Sequence, residues 1–308
     1  MITALGGGVG AAKFLEGLSA VIGSEPLNAV VNTGDDVTIH GLRVSPDVDT
    51  VIYRLSGRVD RQRGWGLKED TFRCLSALSR LGGETWFNIG DSDFATHIFR
   101  THLRACGVTA TETALRIAAA FGLPGNINVL PMTDDDVETW IETPEGEMHF
   151  QEYLVKKKMK PEVLGVTLKN IESAAPTPAV LDAIRGARGV VICPSNPIIS
   201  IGPILALGGV RDAIRQSGAK KIAISPLVGD APLKGPADRL MKGLGLRVSS
   251  VQVAELYGDF LDVMIIDTRD AHEADEIKSL GIEPLVTDIL MPVPERAAAL
   301  ANTVTSLL

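Results

Sequence analysis

A glycine-rich turn near the N-terminus is the segment best suited to binding a charged ligand. It runs from Gly6 to Lys13 as Gly-Gly-Gly-Val-Gly-Ala-Ala-Lys, between an apolar run that predicts a strand and a helix predicted over Ala11–Leu18. Glycines let a backbone bend tightly and approach a ligand, and the free N–H groups and dipole of a helix N-terminus attract phosphate. The turn therefore predicts a phosphate site for a nucleotide, with a plain tight turn as the alternative.

The spacing within the turn narrows the kind of nucleotide site. Lys13 is wrongly spaced for a P-loop, and no Ser or Thr follows it. Gly6, Gly8 and Ala11 do satisfy the loose G-x-G-x-x-A pattern of dinucleotide sites. However, the second predicted strand ends in Asn32 and not in the acid that would hold a ribose. A nicotinamide-dependent oxidoreductase thus has only the loose glycine pattern in its favour.

Acidic residues cluster in three further segments, which follow predicted strands or begin predicted helices. These segments are Asn32-Thr33-Gly34-Asp35-Asp36, Ser45-Pro46-Asp47-Val48-Asp49-Thr50 and Gly90-Asp91-Ser92-Asp93. In a parallel sheet the segments that follow strands gather at one edge, where ligands bind. We therefore expect these carboxylates to converge beside the glycine turn. Carboxylates next to phosphates imply Mg²⁺, a hard cation that prefers oxygen ligands.

Asp49 has two candidate roles. With Asp47, it falls in the first turn of a helix predicted to begin at Ser45-Pro46, where negative charge is favourable without any function. Because Asp47 already occupies that turn, we predict that Asp49 is functional and that its carboxylate reaches a metal and a substrate hydroxyl.

Small polar residues also follow predicted strands in the C-terminal half. The segments are Pro194-Ser195-Asn196-Pro197, Ser225-Pro226-Leu227-Val228-Gly229 and Lys234-Gly235-Pro236. Fixed by prolines, they offer hydroxyl, amide and backbone donors for a base, ribose or phosphate, although structural turns look similar. Their repetition favours a lined cleft.

Two other kinds of site receive little support. The sequence has no G-x-S-x-G nucleophile motif, and His97 and His102 are five residues apart, so they do not share a helix face as metal ligands four apart would. Trp65 stands between Gly64 and Gly66, which expose its ring, and it is a candidate for ligand contact, with core or cap packing as the alternative.

An α/β fold is needed to position these residues. Apolar runs with β-branched residues alternate with amphipathic segments, as parallel strands joined by crossover helices do. The predicted strands are Ile2–Leu5, Asn28–Asn32, Trp86–Ile89, Val190–Cys193, Ile222–Ser225, Val248–Val253, Val263–Asp267 and Glu283–Val286.

Capping residues and turns predict the remaining elements. Helices are expected to begin near Ser45-Pro46, Asp91, Thr111 and Thr177-Pro178, and a last helix covers Glu295–Leu308. Segments 137–143 and 148–155 flank a Pro-Glu-Gly-Glu turn and predict a β-hairpin. We therefore predict one domain, 1–308, in which a helical and hairpin insertion over 51–160 caps the substrate cleft.

Composition narrows the class of protein. The 308 residues are 45% hydrophobic and 22% charged, with a formal net charge of −8. Such an acidic surface has no overall attraction for nucleic acid or an anionic membrane, so neither is an expected partner. The N-terminus lacks the basic start and apolar run of a signal peptide, and the three cysteines have no metal-ligand spacing and are expected in the core. A cytoplasmic location is predicted.

Together the motifs resemble one protein family. The motifs occur in a fixed order along the chain: the glycine turn, Asn32–Asp36, Ser45–Thr50, Gly90–His97 and Pro194–Pro197. The resemblance continues through Asp259–Asp262. They resemble the 2-phospho-L-lactate transferase family, CofD, of deazaflavin coenzyme F420 biosynthesis. The resemblance implies a Rossmann-like α/β enzyme that depends on Mg²⁺ and forms a homodimer.

The resemblance also implies a reaction. The terminal ribityl hydroxyl of Fo, a riboflavin-like deazaflavin, attacks the phosphorus that bears the small acid in a guanosine diphosphate diester, and GMP leaves. The donor is lactyl- or enolpyruvyl-diphospho-guanosine, supplied by a guanylyltransferase, and the product is coenzyme F420-0 or its dehydro form. Lactyl and enolpyruvyl groups differ by two hydrogens, and no local motif distinguishes them.

The implied site residues can be carried over to this chain. The Fo-binding positions fall on Asp49 and on Asn88, where a neutral amide replaces the expected basic residue and can hydrogen-bond a ring carbonyl or hydroxyl. Trp65 and Asp91 complete the predicted Fo site, and Asp49 and Asp35 are the predicted catalytic residues and metal ligands. The predicted nucleotide-binding residues are Gly7, Gly8, Gly10, Lys13, Asn32, Ser195 and Asn196.

A second class of protein shares part of the pattern. Distant CofD-like proteins resemble this chain in the glycine turn and in Asn-Thr-Gly-Asp-Asp, but bind nucleotide sugars as regulators of cell-envelope metabolism and transfer nothing. The Ser-Pro-Asp-x-Asp-Thr segment and Trp65 favour the transferase.

Overall fold

Strands and helices alternate through the structure, a computed structural model that describes residues 1–229, 231–232 and 235–308. In chain order the strands are β1 (Ile2–Gly6), β2 (Leu27–Val31), β3 (Val37–Ile39), β4 (Leu42–Val44), β5 (Ile127–Pro131), β6 (Glu138–Thr143), β7 (Gly146–His149), β8 (Gly165–Lys169), β9 (Gly189–Ile192), β10 (Lys220–Ile224), β11 (Val263–Asp267) and β12 (Glu283–Thr287). The helices are α1 (Gly8–Val21), α2 (Pro46–Leu55), α3 (Arg73–Arg80), α4 (Asp91–Ala105), α5 (Ala110–Ala120), α6 (Pro178–Arg185), α7 (Gly202–Ala206), α8 (Val210–Gln216), α9 (Ala237–Gly243), α10 (Ser250–Leu256), α11 (Ala274–Ser279) and α12 (Pro294–Ser306). Short π-helical turns cover Glu152–Lys156 and Pro197–Ile201, and a 3-10 turn covers Thr268–Glu273.

The main sheet is parallel, and its strand order reverses beside β1. From edge to edge it runs β12-β11-β10-β9-β1-β2-β5, and neighbouring strands are parallel throughout. The chain moves outward through β2 and β5 on one side of β1 and returns to β9 on its other side. Ligands of open α/β sheets bind at the carboxyl ends of the strands where the order reverses. The predicted Rossmann-like α/β sheet is confirmed.

Helices cover both faces of this sheet. Successive β1 residues Ala4 and Leu5 point into two different cores. The first core is filled by side chains of α1, α2, α5 and α12, and the second by side chains of α6, α7, α8 and α10. A parallel sheet covered on both faces has strands that are continuous apolar runs, which is why these strands were recognisable from composition.

Six of the predicted strands are confirmed as β1, β2, β9, β10, β11 and β12, and two are wrong. Val248–Val253 lies largely in α10, because Ser249 caps that helix and its Oγ accepts the Gln252 N–H at 3.1 Å. This local cap outweighs the β-branched valines. Trp86–Ile89 is irregular and leads into α4, where Ile89 packs with Ile39 and Phe94. A four-residue apolar run can fill a core without pairing as a strand.

The segment 51–160 is not one continuous insertion. The unpredicted strand β5 lies within it and pairs with β2 at the edge of the main sheet. The predicted hairpin is confirmed as β6 and β7, which β8 joins in a separate antiparallel sheet, but its second arm ends early and becomes the Glu152–Lys156 turn. Helices α2, α4, α5 and α6 begin within a residue or so of their predicted starts. The role of this segment as a cap stays a prediction.

The structure bears on membrane-spanning helices and on the cysteines. In the described ranges no single helix is both long and apolar enough to cross a membrane. The helices Pro197–Ala206 and Val210–Gln216 have the length and composition only when taken together, and they are bent by 83° relative to one another. Cys193 is buried as expected, but Cys74 and Cys106 are exposed, so the prediction that the cysteines lie in the core is wrong for those two.

Candidate active site

The glycine turn brings the N-terminus of α1 against two other segments. A Cβ atom added to Gly7 would lie 2.1 Å from Asp47 Oδ2, and one added to Gly10 would lie 2.3 Å from the Pro194 carbonyl oxygen. Gly8 has a φ of 71°, in the left-handed region that favours glycine. Glycine 7 has no side chain to cap the helix, and Asp47 instead accepts the Gly8 N–H. A carboxylate of the protein thus already lies at the helix end predicted to bind phosphate.

The turn Pro194–Pro197 is hydrogen-bonded to the glycine turn. The Gly7 N–H donates to Ser195 Oγ at 3.2 Å, and the Ser195 hydroxyl donates to the Gly7 carbonyl at 3.0 Å. Asn196 Oδ1 accepts the Ile198 and Ile199 N–H groups, whereas its buried Nδ2 has no hydrogen-bond partner in the described structure. The structure therefore brings Ser195 to the glycine turn with Asn196 next to it, and the binding of a nucleotide by these two residues stays a prediction.

Asn32 connects the end of β2 to the glycine turn. Its Nδ2 donates to Asp47 Oδ2 at 3.0 Å, and its Oδ1 accepts the Gly34 N–H at 2.8 Å. The side chain is fully buried, so these contacts occupy the position where a dinucleotide site would carry its ribose-binding acid. Lys13 lies half-buried in α1, one turn beyond Gly10.

Four carboxylates are buried together at this edge of the sheet. Asp35 and Asp36 follow β2, and Asp47 and Asp49 lie in the first turn of α2, each with an exposed fraction of 7% or less. Burial raises the pKa of Asp35 well above its ordinary value, and the charge of Asp47 raises it further. Burial also raises the pKa of Asp36 and that of Asp47 to about 6. Burial therefore disfavours the charged form of these three carboxyl groups.

The Asp35–Asp47 pair fits a magnesium ion that also binds phosphate. Among the described residues the buried Asp35 Oδ1 has no hydrogen-bond partner, and a cation would relieve the repulsion between the two carboxylates. Within the described residues, no group of three or more His, Cys, Asp or Glu side chains is arranged to hold a metal. Two carboxylates are nevertheless sufficient, because Mg²⁺ is commonly held by one or two carboxylates, substrate phosphates and water.

Asp49 is engaged differently from the other three carboxylates. Its Oδ1 accepts from Arg100 Nη2 of α4, and its Oδ2 lies 3.7 Å from His97 Nδ1, beyond hydrogen-bond distance. Burial alone would lower the pKa of Arg100, but the charge and hydrogen bond of Asp49 outweigh it and raise that pKa. The structure thus places Asp49 in an ion pair with one free oxygen, and places Asp47 beside Asp35.

A cleft opens next to this cluster, at the carboxyl ends of β2 and β5. Its cavity volume is about 20 Å³, room for about one water molecule, and its wall includes Thr33, Asp36, Arg43, Arg100 and Arg104. Asp36 and Arg100 belong to both the cleft wall and the buried cluster. The cleft therefore adjoins the carboxylates, and as it stands it is too small to hold a substrate group.

Similarity to known proteins extends over nearly the whole chain. A family model described as 2-phospho-L-lactate transferase CofD matches residues 2–302. The chain belongs to this family. A 2-phospho-L-lactate transferase of Methanosarcina barkeri is 43% identical over 98% of this chain and 96% of its own length. A phosphoenolpyruvate transferase of Streptomyces griseus is 39% identical over the same shares, 98% and 96%. The protein is thus an enzyme, a transferase of the CofD family.

A solved structure agrees with the fold of this CofD family member. A UPF0052 family protein of Bacillus halodurans has a TM-score of 0.64 and covers 99% of this chain and 98% of its own. At 17% identity this likeness shows the fold alone.

Asp91, predicted to contact Fo, has a structural role in this CofD protein. Its carboxylate accepts the N–H groups of Arg73 and Cys74 and the Thr71 hydroxyl, so it caps α3. The Thr71 hydroxyl is the main cause that lowers the pKa of Asp91, with help from the Cys74 N–H. In return Asp70 accepts the N–H groups that begin α4. This reciprocal capping occupies the Asp91 carboxylate.

Trp65 and Asn88 lie outside the hydrogen-bonded carboxylate cluster. The Trp65 ring is half-buried, with the Arg63 guanidinium 5.3 Å from its centroid. Asn88 is exposed in the irregular segment before α4. Their contact with Fo stays a prediction, as does the neutral amide's role at Asn88.

Of the small polar segments predicted in the C-terminal half, Pro194–Pro197 contacts the glycine turn, whereas Ser225–Gly229 is held elsewhere. The Ser225 hydroxyl is buried 2.8 Å from that of Ser250, and Asp270 accepts the Gly229 N–H at 2.8 Å, so this segment is held internally. Lys234, named in the same prediction, lies outside the described residues.

One stripe of α4 carries Arg100, which the sequence did not point to, and His97, which was set aside as a metal ligand. With Asp93 of the predicted acidic segment they are four and then three residues apart, so they share one helix face, and all three are buried. Polar residues at this spacing among apolar neighbours were the available signal. Their target, Asp49 on α2, is a contact that spacing cannot show.

Proposed function

We propose that this protein transfers a phospholactyl or phosphoenolpyruvyl group from lactyl- or enolpyruvyl-diphospho-guanosine to Fo, giving coenzyme F420-0 or dehydro-F420-0 and GMP. The observation that carries the proposal is the buried cluster of Asp35, Asp47 and Asp49 beside the N-terminus of α1. The printed names of the relatives, 2-phospho-L-lactate transferase and phosphoenolpyruvate transferase, support the same class of transferred group.

The guanosine part of the donor is proposed to lie against the edge that α1 and the Pro194–Pro197 turn form together. The dipole of α1 favours phosphate there, although Ser195 and Asp47 already accept the Gly7 and Gly8 N–H groups. The unpaired Nδ2 of Asn196 is a hydrogen-bond donor available to the nucleotide. Bringing a diphosphate to this edge requires compensation of the negative charge of the carboxylates.

Asp35 and Asp47 are proposed to hold Mg²⁺. When bound, the ion would neutralise phosphate charge and so help phosphoryl transfer. Asp49, although first predicted as a ligand, is less suited to this role because Arg100 already compensates its charge. The free oxygen of Asp49 remains available to a substrate hydroxyl.

The transfer itself is a substitution at phosphorus. The ribityl oxygen of Fo bonds to the phosphorus that bears the small acid, and the bond from that phosphorus to the bridging oxygen breaks. GMP leaves with the bridging oxygen and its electron pair, and the hydroxyl proton passes to Asp49 Oδ2. Such a reaction depends on positioning and charge compensation and needs no covalent nucleophile.

Mass spectrometry of the product tests this proposal and identifies the donor. The protein is incubated with Fo, GTP, Mg²⁺ and the guanylyltransferase, and 2-phospholactate and phosphoenolpyruvate are offered in separate reactions. We expect F420-0 or dehydro-F420-0 together with GMP from one of the two. No product from either, combined with tight calorimetric binding of a UDP-sugar and none of GDP, would overturn the proposal in favour of a regulatory protein.

A further inference from the structure

Arg100 joins α4 to the first turn of α2 through two separate contacts. One arm of its guanidinium, Nη2, donates to Asp49 Oδ1, and the other, Nη1, lies 3.1 Å from His97 Nδ1. All three side chains are 4% exposed or less. Since Arg has no acceptor, His97 Nδ1 must accept this bond, which puts the imidazole proton on Nε2.

The same contacts continue into a closed ring between the two helices. His97 Nε2 faces Asp93 Oδ1 at 3.4 Å, and the Tyr53 hydroxyl donates to that oxygen at 2.7 Å. Tyr53 lies one helical turn after Asp49 on α2, so the ring returns to the helix on which it began. Hydrogen bonds thus hold Arg100 to Asp49 and His97, and Tyr53 to Asp93, while His97 and Asp93 lie 3.4 Å apart.

Two buried atoms of the ring, His97 Nε2 and Asp49 Oδ2, have no hydrogen-bond partner among the described residues. Of the two, Asp49 Oδ2 belongs to a carboxylate whose other oxygen, Oδ1, is held by Arg100. A buried charged oxygen without a hydrogen bond is costly, so its persistence calls for a ligand atom. The ring holds the carboxylate by one oxygen and leaves the other free.

We propose that Arg100 is a positioning residue, which holds Asp49 by Oδ1 so that Oδ2 is presented to the Fo hydroxyl. This proposal rests on the proposed function. The two-armed contact explains why the position carries Arg, because a Lys ammonium is a point charge that cannot reproduce the planar fork to Asp49 and His97. A misplacement of the reacting group by about 1 Å costs about 10²-fold in rate.

The chain supplies a matched control for this residue. Arg54 is equally buried, at 4% exposed, and pairs with Glu16 Oε2 at 2.9 Å on the other side of α2. Arg54→Lys therefore perturbs an equally buried arginine that pairs with a carboxylate, without touching Asp49, although Glu16 is 19% exposed and also pairs with Arg61. Both Lys variants keep the positive charge, which favours folding of both.

The experiment is a double-mutant cycle of Arg100→Lys and Asp49→Asn, with Arg54→Lys alongside. In the transfer reaction we expect Arg100→Lys to lower kcat about 10²-fold with KM for the donor nearly unchanged. Arg54→Lys should stay within about threefold of the wild type. The double variant should have a kcat within about threefold of that of Asp49→Asn alone, because both changes remove the same interaction.

Two results would overturn the positioning role. One is a kcat for Arg100→Lys equal to that of Arg54→Lys, and the other is a full additional loss when Arg100→Lys is added to Asp49→Asn. Equilibrium binding of Fo to the wild type separates the proposals. If the wild type binds Fo and transfers to it, and Arg100→Lys does so equally well, only the positioning role is overturned. If the wild type neither binds Fo nor transfers to it, the positioning role and the proposed function are both overturned.

Discussion

At the scale of single residues, the proposed role of Asp49 in the reaction and its structural role can be measured separately. Asp49→Asn should lower kcat by about 10²-fold or more, because the amide cannot accept the Fo proton. It should also lower the free energy of unfolding by about 3 to 5 kcal/mol, since Arg100 loses its buried partner. This exceeds the about 0.3 to 1 kcal/mol expected if Asp49 served only a helix end. Transfer kinetics and denaturant unfolding measure the two effects.

Glu16→Gln is the control for that variant. It removes the partner of buried Arg54, so it should destabilise the protein by a similar mechanism while leaving kcat near that of the wild type. Near-normal turnover of Asp49→Asn, or a loss of activity that Glu16→Gln reproduces, would count against a role for Asp49 in the reaction.

Asp36 should make stability depend on pH in an unusual direction. Burial raises its pKa from 3.8 to about 6, so the folded chain keeps a proton that the unfolded chain releases. The contribution of Asp36 to the free energy of unfolding therefore falls as pH rises from about 4 to about 6, and levels off above that. Between pH 4 and pH 7, the free energy of unfolding of Asp36→Asn should rise by about 3 kcal/mol relative to that of the wild type. Denaturant unfolding across this range measures the gain.

Asp60→Asn provides the comparison of opposite sign. Hydrogen bonding by the Arg63 N–H lowers the pKa of exposed Asp60, so the wild-type residue gains its stabilising effect as pH rises and the Asn variant does not. A stability difference between Asp36→Asn and the wild type that does not change with pH would show that Asp36 ionises normally.

At the scale of elements, the glycine turn and the Pro194–Pro197 turn act as one unit. Gly10→Ala should destabilise the protein by about 1 to 3 kcal/mol, because its Cβ would lie 2.3 Å from the Pro194 carbonyl oxygen. GDP binding should weaken as well, since the clash separates α1 from Ser195. Gly125→Ala meets no atom within 4 Å and should stay within about 0.5 kcal/mol of the wild type. Thermal unfolding and calorimetry compare the two, and equal stabilities would contradict this account.

At the scale of the whole molecule, we expect Mg²⁺ and GDP together to stabilise the fold more than GDP alone. Mg²⁺ added with GDP should raise Tm by about 4 °C beyond GDP alone when the metal complex is about 100-fold above its Kd. Asp35→Asn should abolish the Mg²⁺-dependent increment and keep the effect of GDP, because it removes one carboxylate of the pair. Thermal unfolding with and without EDTA measures this increment. An increment that survives in Asp35→Asn would place the metal elsewhere.

Three segments of the candidate site could be placed together from the sequence, because each follows a strand of the parallel sheet. The glycine turn follows β1, the Asn32–Asp36 segment follows β2, and the Pro194–Pro197 turn follows β9, and these three strands are neighbours in the sheet. Parallel strands end at a common edge, so the alternation of apolar runs and helices was enough to bring these segments together. Local patterns also predicted the start of α2, because Ser45-Pro46 is a boundary signal that acts within one turn.

The partner of each carboxylate was decided by packing between distant parts of the chain. The sequence indicated an acidic cluster, but Asp47 lies against Gly7 and Asp49 against Arg100, 51 residues further on, because of how α2 and α4 pack in the fold. Asp91 likewise became a cap for α3. Residue type and spacing determine local conformation and the edge to which a segment belongs, since both act over a few residues. Which charges pair depends on distances of a few ångströms between helices, and these are set only when the whole core is packed.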